Sequence, residues 1–456
     1  MNNKFKILDC TLRDGGYYNN WNFTKKFANN YLNVLSQLGI DYIEIGFKKI
    51  INSRDFGPFS RSDYSYVKNL TIPKNIKMCA MADSSDFKNE NYFLNIDKKF
   101  SKKESSQIPL IRLACNYQDK YLLERVIKRL RKNKFQVAVN LMKFTVLKNS
   151  EIITFFKACK KLKVNIFYLA DSFGNCDPDK LARITKEIKK NFNIKNFGLH
   201  AHNNLGQALE NAKMAIKLGF GYIDTSLTGM GRGAGNLKLE EFLDTVKNIP
   251  QKKNEKLYSL IDKEMIPLIQ RYNWGPNYHY FYSAKNNIHP SYVQLLLSEN
   301  KFSFYVMLEI LEFLKKNKAS SFAKDLFDKL FLKVNKLKKI NSIKLNKILI
   351  LSENIKNKKM NLSSFKQRGF KISSMNYLTN FDYNFLDYIF ICNPFRIFTE
   401  LNKVSDLKKK IISPNYEILK KMKFKNKDQL INYNYTKSEN PKIEEGMCKY
   451  KNNFVL

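Results

Sequence analysis

Two of the chain's four histidines lie in one tripeptide, His200-Ala201-His202, at the end of a predicted β-strand. Side chains two positions apart on a strand point to the same side of it. The two imidazoles would therefore project together, which is an arrangement that binds metal ions. A pair of hydrogen-bonded polar residues is the simpler interpretation, and the tripeptide alone does not choose between the two.

Two other segments supply groups that a metal site needs. Arg13-Asp14 follows the first predicted strand and offers a carboxylate beside a cation. Gly229–Asn236 follows the eighth strand, and its glycines, Gly231 and Gly233 among them, let the backbone approach a ligand closely. The side chain of Asn236 adds a carbonyl oxygen, so both segments extend the set of possible ligands.

Strands seven, eight and one are neighbours in a closed eight-stranded barrel, so Asp14, His200, His202 and Asn236 could meet there. Two imidazoles with oxygen ligands suit a divalent ion, with Mn2+ preferred and Mg2+ or Co2+ as alternatives. A structural zinc would recruit cysteine, and these four residues include none. The ion and Arg13 could stabilise the enolate of a 2-oxo acid when a carbon–carbon bond breaks or forms. The competing interpretation of Asp14 is a carboxylate that merely caps the strand end.

The elements that must position these residues alternate between short apolar runs and helical segments. This alternation predicts parallel βαβ units, and eight of them in about 230 residues predict a (β/α)8 TIM barrel. A doubly wound sheet is the structural alternative. The predicted strands are Phe5–Asp9, Tyr42–Phe47, Lys77–Ala82, Ile111–Asn116, Phe135–Leu141, Asn165–Ala170, Phe197–His202 and Tyr222–Leu227.

The pattern changes after Pro250, and the whole chain is expected to be α/β with three parts. These are a catalytic TIM barrel (1–250), a helical lid or post-barrel region (251–335) and a small basic α/β C-terminal domain with a disordered tail (336–456). The helical region is interrupted by an aromatic loop, Asn273–Tyr282, and a basic linker is expected at Lys333–Lys339. Strands of the last part are expected at Lys347–Leu351 and Tyr388–Cys392.

The chain is strongly basic, with 80 Lys and Arg against 41 Asp and Glu and a net charge of +39 over 456 residues. Such a charge could mark a protein that binds nucleic acid or another polyanion. The surplus is spread along the chain, which favours a compositional bias instead, and residues 201–250 balance five basic against five acidic residues. A hydrophobic content of 44% with 14% aromatic residues argues against global disorder.

The expected compartment is the cytoplasm. Met1–Cys10 has no apolar region of a signal peptide, and no run approaches the roughly 20 apolar residues of a membrane span. The seven cysteines are odd in number, scattered and without a CxxC pair, which is typical of reduced thiols.

Four motifs together resemble the DRE-TIM metallolyases, the superfamily of the HMGL-like (pyruvate carboxyltransferase) domain. They are Thr11–Gly15, Ile43–Gly46, Leu199–Asn203 and Gly229–Asn236, in order and at fitting strand positions. The resemblance covers residues 5 to about 250. The stretch Asp14–Phe23 looks most like members described as 4-hydroxy-2-oxovalerate aldolase-like, which implies an aldolase acting on a 2-oxo acid.

The resemblance also implies roles for single residues. Asp14, His200 and His202 would hold a divalent metal, with Asn236 as a possible further ligand, and Arg13 would stabilise the enolate. Glu44 would orient Arg13 or a metal-bound water. Asp171 and Ser172 match a pair that follows strand six in the family, and they would line the substrate pocket.

The sequence departs from the family pattern at the proton-transfer group. The aldolases carry a histidine three residues after the metal-binding aspartate, and this chain has Tyr17 there, which could serve if its pKa were lowered. His289 is the other candidate, because synthases of the superfamily use a histidine from beyond the barrel, often from a partner subunit of a homodimer. The competing interpretation of His289 is a cap for the helix before Pro290. Tyr282 could contact substrate or could simply pack.

Three functions remain open at this point. The first is a metal-dependent carbon–carbon lyase or aldolase, and the second is a Claisen-type synthase that condenses acetyl-CoA with a 2-oxo acid, as in isopropylmalate synthase. HMG-CoA lyase activity is disfavoured because those enzymes carry a cysteine in the glycine-rich loop. The third, from another class, is a basic protein that binds nucleic acid or a polyanion through its C-terminal region.

Overall fold

The computed structural model describes residues 5–49, 56–246, 250–299, 304–323, 326, 347–351, 361–375, 378, 381–391, 407, 409–413, 430–432 and 453–455. The chain forms two compact units. One comprises Met1–Glu299 with Leu311–Phe322, and the other comprises Asn300–Ile310 with Ala323–Leu456. The three-part division expected from the sequence stays a prediction beside this division into two.

The first unit is built on eight parallel strands that close into a barrel in sequence order, with β1 paired to β8. This confirms the predicted TIM barrel. The strands are β1 Lys6–Asp9, β2 Tyr42–Phe47, β3 Lys77–Asp83, β4 Leu110–Cys115, β5 Gln136–Met142, β6 Ile166–Asp171, β7 Phe197–Ala201 and β8 Tyr222–Thr225.

The strands are buried on both faces, which is why they are apolar almost throughout. Inward-facing side chains such as Leu8, Tyr42, Cys79 and Tyr168 form a core inside the barrel. The outward-facing residues pack with the surrounding helices in a second, larger core that contains Ile7. Side chains alternate along each strand, so the polar residues of the inward-facing rows must lie inside the barrel or at its mouth.

Helices follow the strands of the barrel, and the second unit has helical segments of its own, such as Leu362–Gln367. The described α-helices of at least six residues are Lys25–Gln37, Lys102–Gln107, Leu123–Lys132, Asn149–Lys161, Pro178–Lys189, Ala208–Leu218, Leu239–Val246, Gln251–Leu260, Ile266–Tyr272, Tyr278–Lys285, Pro290–Glu299, Phe304–Lys316 and Leu362–Gln367. Shorter α-helical segments are Thr11–Asp14, Gly16–Asn19, Tyr64–Val67, Glu90–Leu94 and Ile96–Lys99. No helix among the described residues is long and apolar enough to cross a membrane.

The second unit contains a parallel sheet of six strands in the order β13-β12-β11-β10-β9-β14. This agrees with the small α/β domain predicted after the barrel. The strands are β9 Ile348–Leu351, β10 Lys371–Met375, β11 Tyr388–Phe390, β12 Lys410–Ser413, β13 Leu430–Asn432 and β14 Asn453–Val455. The expected linker Lys333–Lys339 and most of the expected disordered tail lie outside the described residues.

The predicted aromatic loop Asn273–Tyr282 is only half correct, because a helix begins within it at Tyr278. The side chain of Asn277 caps this helix by accepting a hydrogen bond from the backbone N–H of Tyr280 at 3.0 Å. An asparagine N-cap satisfies one of the free N–H groups of the first turn. The aromatic residues around Asn277 suggested a loop, although asparagine at this position is a typical N-cap of a helix.

Candidate metal centre at the barrel mouth

Arg13 and Asp14 lie on the one-turn helix Thr11–Asp14, immediately after β1, and both are buried. Asp9, the last residue of β1, stabilises this turn. Its Oδ1 accepts hydrogen bonds from the backbone N–H of Thr11 at 3.0 Å and from the hydroxyl of Thr11 at 2.5 Å. The barrel strand and the helix that follows it are therefore locked together. The carboxylate of Asp14 is aimed at the mouth of the barrel by a rigid backbone.

His200, on β7, and His202, directly after β7, are oriented by hydrogen bonds on their Nδ1 atoms. His202 Nδ1 lies 2.8 Å from the backbone carbonyl of Asp171, and His200 Nδ1 lies 3.0 Å from Oδ2 of Asp224. A carbonyl oxygen only accepts, so Nδ1 of His202 carries a proton, and Nε2 is the atom that the neutral imidazole would offer to a metal. Metal-binding histidines are oriented by such contacts to carbonyl and carboxylate oxygens.

Asp14, His200 and His202 converge, with candidate ligand atoms that all lie within 4.8 Å of one another. Oδ2 of Asp14 is 3.4 Å from Nε2 of His202 and 3.8 Å from Nε2 of His200. Among the described residues, Nε2 of His202 and Oδ1 of Asn236 are buried without a hydrogen-bond partner. Buried polar atoms usually have a partner, which can be a protein group, a water molecule or a bound ion. The donor set therefore fits a divalent ion with nitrogen and oxygen ligands.

Protonation states suit the same interpretation. Burial alone would raise the pKa of Asp14, but the charge of Arg13 and the contacts of His202 and His200 together outweigh it and hold that pKa well below its ordinary value. Burial lowers the pKa of His200, in spite of its hydrogen bond to Asp224, so the imidazole is neutral at pH 7. An ionised carboxylate and a neutral imidazole are the forms that bind a metal.

Arg13 is held between two carboxylates. It forms an ion pair with Asp14, and its Nε donates to Oε2 of Glu44 at 2.7 Å. The attraction of these two carboxylates outweighs burial and raises the pKa of the guanidinium still further. Its Nη2 is buried and has no hydrogen-bond partner in the described part of the chain. One donor of a fixed cation is thus left for a ligand.

An ionic network inside the barrel, which was not predicted from the sequence, supports these residues. Arg112 of β4 is completely buried, pairs with Asp224 of β8, and has its Nη1 3.1 Å from Oε2 of Glu44. Its Cζ lies 4.1 Å from the centre of the Tyr168 ring. Asp224 in turn contacts His200. The available signal was a charged residue within an apolar strand, which must find a partner when it is buried.

The glycine-rich loop after β8 approaches the cluster because its glycines have no side chains. A Cβ on Gly231 would lie 2.4 Å from Nδ2 of Asn236 and 2.8 Å from Oδ2 of Asp14. The loop folds back along the end of β7, where the N–H of Asn203 donates to the carbonyl of Gly235 at 2.8 Å. Asn236 Nδ2 then donates to Oδ2 of Asp14 at 2.8 Å. Gly231 is therefore required by space beside Asp14 and Asn236, and approach of Gly231 and Gly233 to a ligand stays a prediction.

The comparisons with known proteins agree with this geometry. Residues 95–266 match the family model described as HMGL-like. The N-terminal domain of a candidate aldolase from Bacteroides vulgatus has a similar structure, with 30% sequence identity and a TM-score of 0.59, and it covers 67% of this chain and 100% of that one. This chain belongs to the HMGL-like family, within the DRE-TIM superfamily.

Two relatives extend the comparison. An oxaloacetate decarboxylase from Mycobacterium tuberculosis is 26% identical over 236 residues, which cover 51% of this chain and 67% of that protein. A 4-hydroxy-2-oxovalerate aldolase from Carboxydothermus hydrogenoformans is 26% identical over 265 residues, which cover 58% and 76%. The HMGL-like chain is accordingly an enzyme of the DRE-TIM lyase family, whose members use a divalent metal.

The two proton-transfer candidates of this HMGL-like chain differ in character. The Tyr17 ring packs edge-on against Trp21 and Phe47, and burial raises its pKa, which is opposite to the lowering that a basic role would require. Burial and the charges of Arg232 and Lys143 hold the pKa of His289 well below its usual value. Tyr17 therefore keeps its proton at neutral pH, while His289 is neutral.

The remaining predicted residues have contacts of other kinds. Asp171 accepts the backbone N–H groups of Asn175 and Cys176 with its carboxylate, and Ser172 accepts the N–H of Lys143. The Tyr282 hydroxyl donates a hydrogen bond to Glu312, which is not one of the metal-binding candidates. Substrate contact by Asp171, Ser172 and Tyr282 stays a prediction. His289 Nδ1 accepts the N–H of Ser291 at 3.3 Å, so it also caps the helix that follows.

One further buried side chain lies inside the barrel without an assigned role. Asn140 of β5 is 1% exposed, and neither its Oδ1 nor its Nδ2 has a hydrogen-bond partner among the described residues. It lies two residues beyond Ala138, which belongs to the core inside the barrel, so its side chain points inward as well. A polar residue between Val139 and Leu141, well inside the predicted strand Phe135–Leu141, was the signal that could have found it.

Proposed function

We propose that this protein is a divalent-metal-dependent carbon–carbon lyase of the aldolase type, which cleaves a 4-hydroxy-2-oxo acid to pyruvate and an aldehyde. The observation that carries the proposal is the convergence of Asp14, His200 and His202, beside Arg13, at the carboxyl ends of the barrel strands. In TIM barrels, active sites lie at this end. Mn2+ is the ion that we expect, with Mg2+ or Co2+ as alternatives.

Asp14, His200 and His202 would hold the ion, and Asn236 would add a ligand. Half a turn of the Asn236 amide would bring its unpartnered Oδ1 to the position from which Nδ2 now contacts Asp14. When bound, a divalent ion polarises the ketone and carboxylate of a 2-oxo acid as a Lewis acid. The two imidazoles are already turned for this role by Asp224 and the carbonyl of Asp171.

Arg13 would stabilise the negative charge that develops in the reaction. The substrate loses the proton of its C4 hydroxyl, the C3–C4 bond breaks, and its electron pair moves into the C2 ketone. The products of this step are an aldehyde and the enolate of pyruvate, which then takes up a proton at C3. Nη2 of Arg13 is a free donor on a guanidinium fixed by Glu44, and a fixed donor favours the developing oxyanion.

Proton transfer would be divided between the two remaining candidates. His289 is neutral at pH 7, because its pKa is lowered by burial and by nearby positive charge, so it could accept the proton of the C4 hydroxyl. Tyr17 retains its proton, because burial raises its pKa, so it could supply a proton to the enolate. This assignment gives opposite roles to the two residues.

The names of the relatives are consistent with one shared intermediate. Loss of carbon dioxide from oxaloacetate and retro-aldol cleavage of a 4-hydroxy-2-oxo acid both leave the enolate of pyruvate. A Claisen-type synthase would instead condense acetyl-CoA with a 2-oxo acid and release a free thiol. The products therefore distinguish the three reactions.

The test is an assay of pyruvate release with Mn2+ across a set of 4-hydroxy-2-oxo acids and oxaloacetate. We expect turnover of a 4-hydroxy-2-oxo acid that EDTA abolishes and added Mn2+ restores. Asp14→Asn and His202→Ala should lose both turnover and Mn2+ binding, whereas Asp179→Asn, at an exposed carboxylate, should retain both. Release of a thiol from acetyl-CoA would favour the synthase. Turnover that is indifferent to EDTA would contradict the metal-dependent mechanism.

A further inference from the structure

A second group of positively charged side chains lies at the barrel mouth, beyond the ion-paired Arg13. Arg232 belongs to the glycine-rich loop, between Gly231, which is crowded against Asp14, and Gly233, at which a Cβ would lie 3.1 Å from Cβ of Pro290. The loop therefore links the ligand cluster to the turn that holds His289. We call Arg232 and Lys143, whose positive charges act on the neutral His289, the mouth cation cluster.

Arg232 is oriented but not neutralised. Its Cζ lies 5.5 Å from the centre of the Tyr17 ring, and its Nε is buried without a hydrogen-bond partner in the described part of the chain. A guanidinium over an aromatic ring keeps its donors available for a planar anion. Tyr17 follows Asp14 by three residues, so this guanidinium stands close to the ligand cluster in the fold.

Lys143 reaches the same region from the other side of the barrel. It follows β5 with a left-handed backbone, φ +56°, and its N–H donates to Oγ of Ser172 at 3.1 Å, beside the residue whose carbonyl holds His202. Its Nζ donates to Oγ of Ser321 at 2.9 Å. Burial lowers the pKa of Lys143, and the charge of Arg232 lowers it further. The two positive charges are therefore close enough to repel each other.

No carboxylate forms an ion pair with Arg232 or Lys143 among the described residues, in contrast to Arg13 and Arg112. The acid with an electrostatic effect on Lys143 is Asp119, which is already paired with Lys88 at 2.7 Å. Charge that is partly buried and unpaired is unfavourable in the free protein. A bound anion would offset it, so the arrangement is suited to an anionic ligand.

We propose that the mouth cation cluster binds a second anionic group of the substrate, a carboxylate or a phosphate, carried on the far side of the bond that breaks. This inference rests on the proposed function, which assigns the 2-oxo acid end to Arg13 and the Asp14, His200 and His202 cluster. The substrate class is accordingly a 2-oxo acid with an additional acidic group on its aldehyde portion. The cluster would select this substrate over one that ends in a methyl group.

The first experiment compares three matched substrates for pyruvate release: 4-hydroxy-2-oxopentanoate, 4-hydroxy-2-oxoglutarate and a 4-hydroxy-2-oxo acid with a terminal phosphate. The wild-type protein should prefer an anionic substrate, and the last two substrates distinguish carboxylate from phosphate. In Arg232→Gln and Lys143→Gln, the ratio of kcat/KM for the preferred anionic substrate to that for the methyl substrate should fall about tenfold or more, mainly through KM. Arg232→Lys should recover part of the ratio.

The matched controls are Arg183→Gln and Lys186→Gln, which remove exposed cations from the helix Pro178–Lys189. They lower the net charge equally, so a loss of long-range attraction alone would appear in them too. The inference is overturned if the wild type favours the methyl substrate, or if the controls lose the ratio as much as Arg232→Gln does.

The second experiment does not depend on turnover. Inorganic phosphate is titrated calorimetrically into protein freed of metal, at about 150 mM salt to screen surface charge. We expect Arg232→Gln to weaken the tightest phosphate site about tenfold and Arg183→Gln to leave it unchanged. If no substrate releases pyruvate, the proposed function fails, and this titration still decides the anion site. Equal phosphate binding by wild type and Arg232→Gln would overturn it.

Discussion

At the scale of single residues, the centre depends on side chains that never touch a ligand. Asp224 accepts a hydrogen bond from Nδ1 of His200 and forms an ion pair with Arg112. One carboxylate thus orients an imidazole and neutralises a buried cation. Burial would raise the pKa of Asp224, but Arg112 and His200 together outweigh that effect and lower it. The carboxylate is thus ionised, and its role is to position His200.

Asp224→Asn tests this positioning role. The amide removes the negative charge that Arg112 needs and weakens the hold on His200, so the affinity for Mn2+ should fall by roughly 10- to 100-fold. Calorimetric titration with Mn2+ measures the change, and Asp179→Asn serves as the control at an exposed site. Unchanged Mn2+ affinity in a folded Asp224→Asn protein would show that His200 needs no such partner.

Asn140 presents the opposite case, a buried amide without a partner among the described residues. A buried unpaired polar group costs about 1–3 kcal/mol, so Asn140→Leu should raise the midpoint of thermal unfolding. If the amide binds substrate, the same variant should lose kcat/KM through a higher KM, with Mn2+ affinity preserved. A variant that is both more stable and fully active would assign Asn140 no part in binding.

At the scale of elements, the barrel was predictable because each strand carries its own signal. The runs that begin at Tyr42 and Phe197 are apolar and bounded by helical segments, and both became strands at nearly the predicted bounds. The His200 and His202 pair was predictable because alternation along a strand is local. The pairing of Arg112 with Asp224 was not, because it joins strands 112 positions apart in the chain.

The glycine-rich loop gives a prediction at this scale. Gly231→Ala should push the loop away from Asp14 and Asn236, because the added Cβ would lie within 2.8 Å of both side chains. We expect a marked loss of Mn2+ affinity with little change in the folded content measured by circular dichroism.

Gly206→Ala is the control for this variant. Gly206 has a φ of +72° but open space around its Cβ position. It should therefore lose about 1–2 kcal/mol of stability through backbone strain and keep its Mn2+ affinity. Equal Mn2+ affinity in the wild type and Gly231→Ala would show that metal binding does not require the close approach of this loop to Asp14 and Asn236.

At the scale of the whole molecule, the net charge of +39 does not describe the centre. The segment 201–250, which carries His202 and the glycine-rich loop, is balanced, and inside the barrel the arginines are paired with carboxylates. The surplus of Lys and Arg elsewhere can raise the local concentration of anionic substrates. Binding of nucleic acid stays an untested alternative for the C-terminal region.

Global stability should depend on pH through His289. Its folded pKa lies well below the ordinary value of 6.5, because of burial first and then the charges of Arg232 and Lys143. The unfolded chain therefore takes up a proton more readily, so the contribution of this group is present above pH 6.5 and is lost as pH falls. In His289→Gln, this dependence should disappear.

Urea unfolding of the two proteins at about pH 7.5 and about pH 5.5 measures the effect. The difference in unfolding free energy between wild type and His289→Gln should shift by about 1 kcal/mol in favour of the variant at the lower pH. An identical difference at both pH values would mean that His289 is protonated equally in the folded and unfolded chains.

The net charge of the ion-paired core inside the barrel affects the order in which a metal ion and a substrate bind. Two guanidinium groups, Arg13 and Arg112, interlock with three carboxylates, Asp14, Glu44 and Asp224, so their formal charges total −1. An interior of that sign repels an organic acid and attracts a cation. A divalent cation reverses the sign to +1. Within this core we therefore expect the cation to bind before the 2-oxo acid group, whereas the mouth cation cluster can attract an anion with or without the metal.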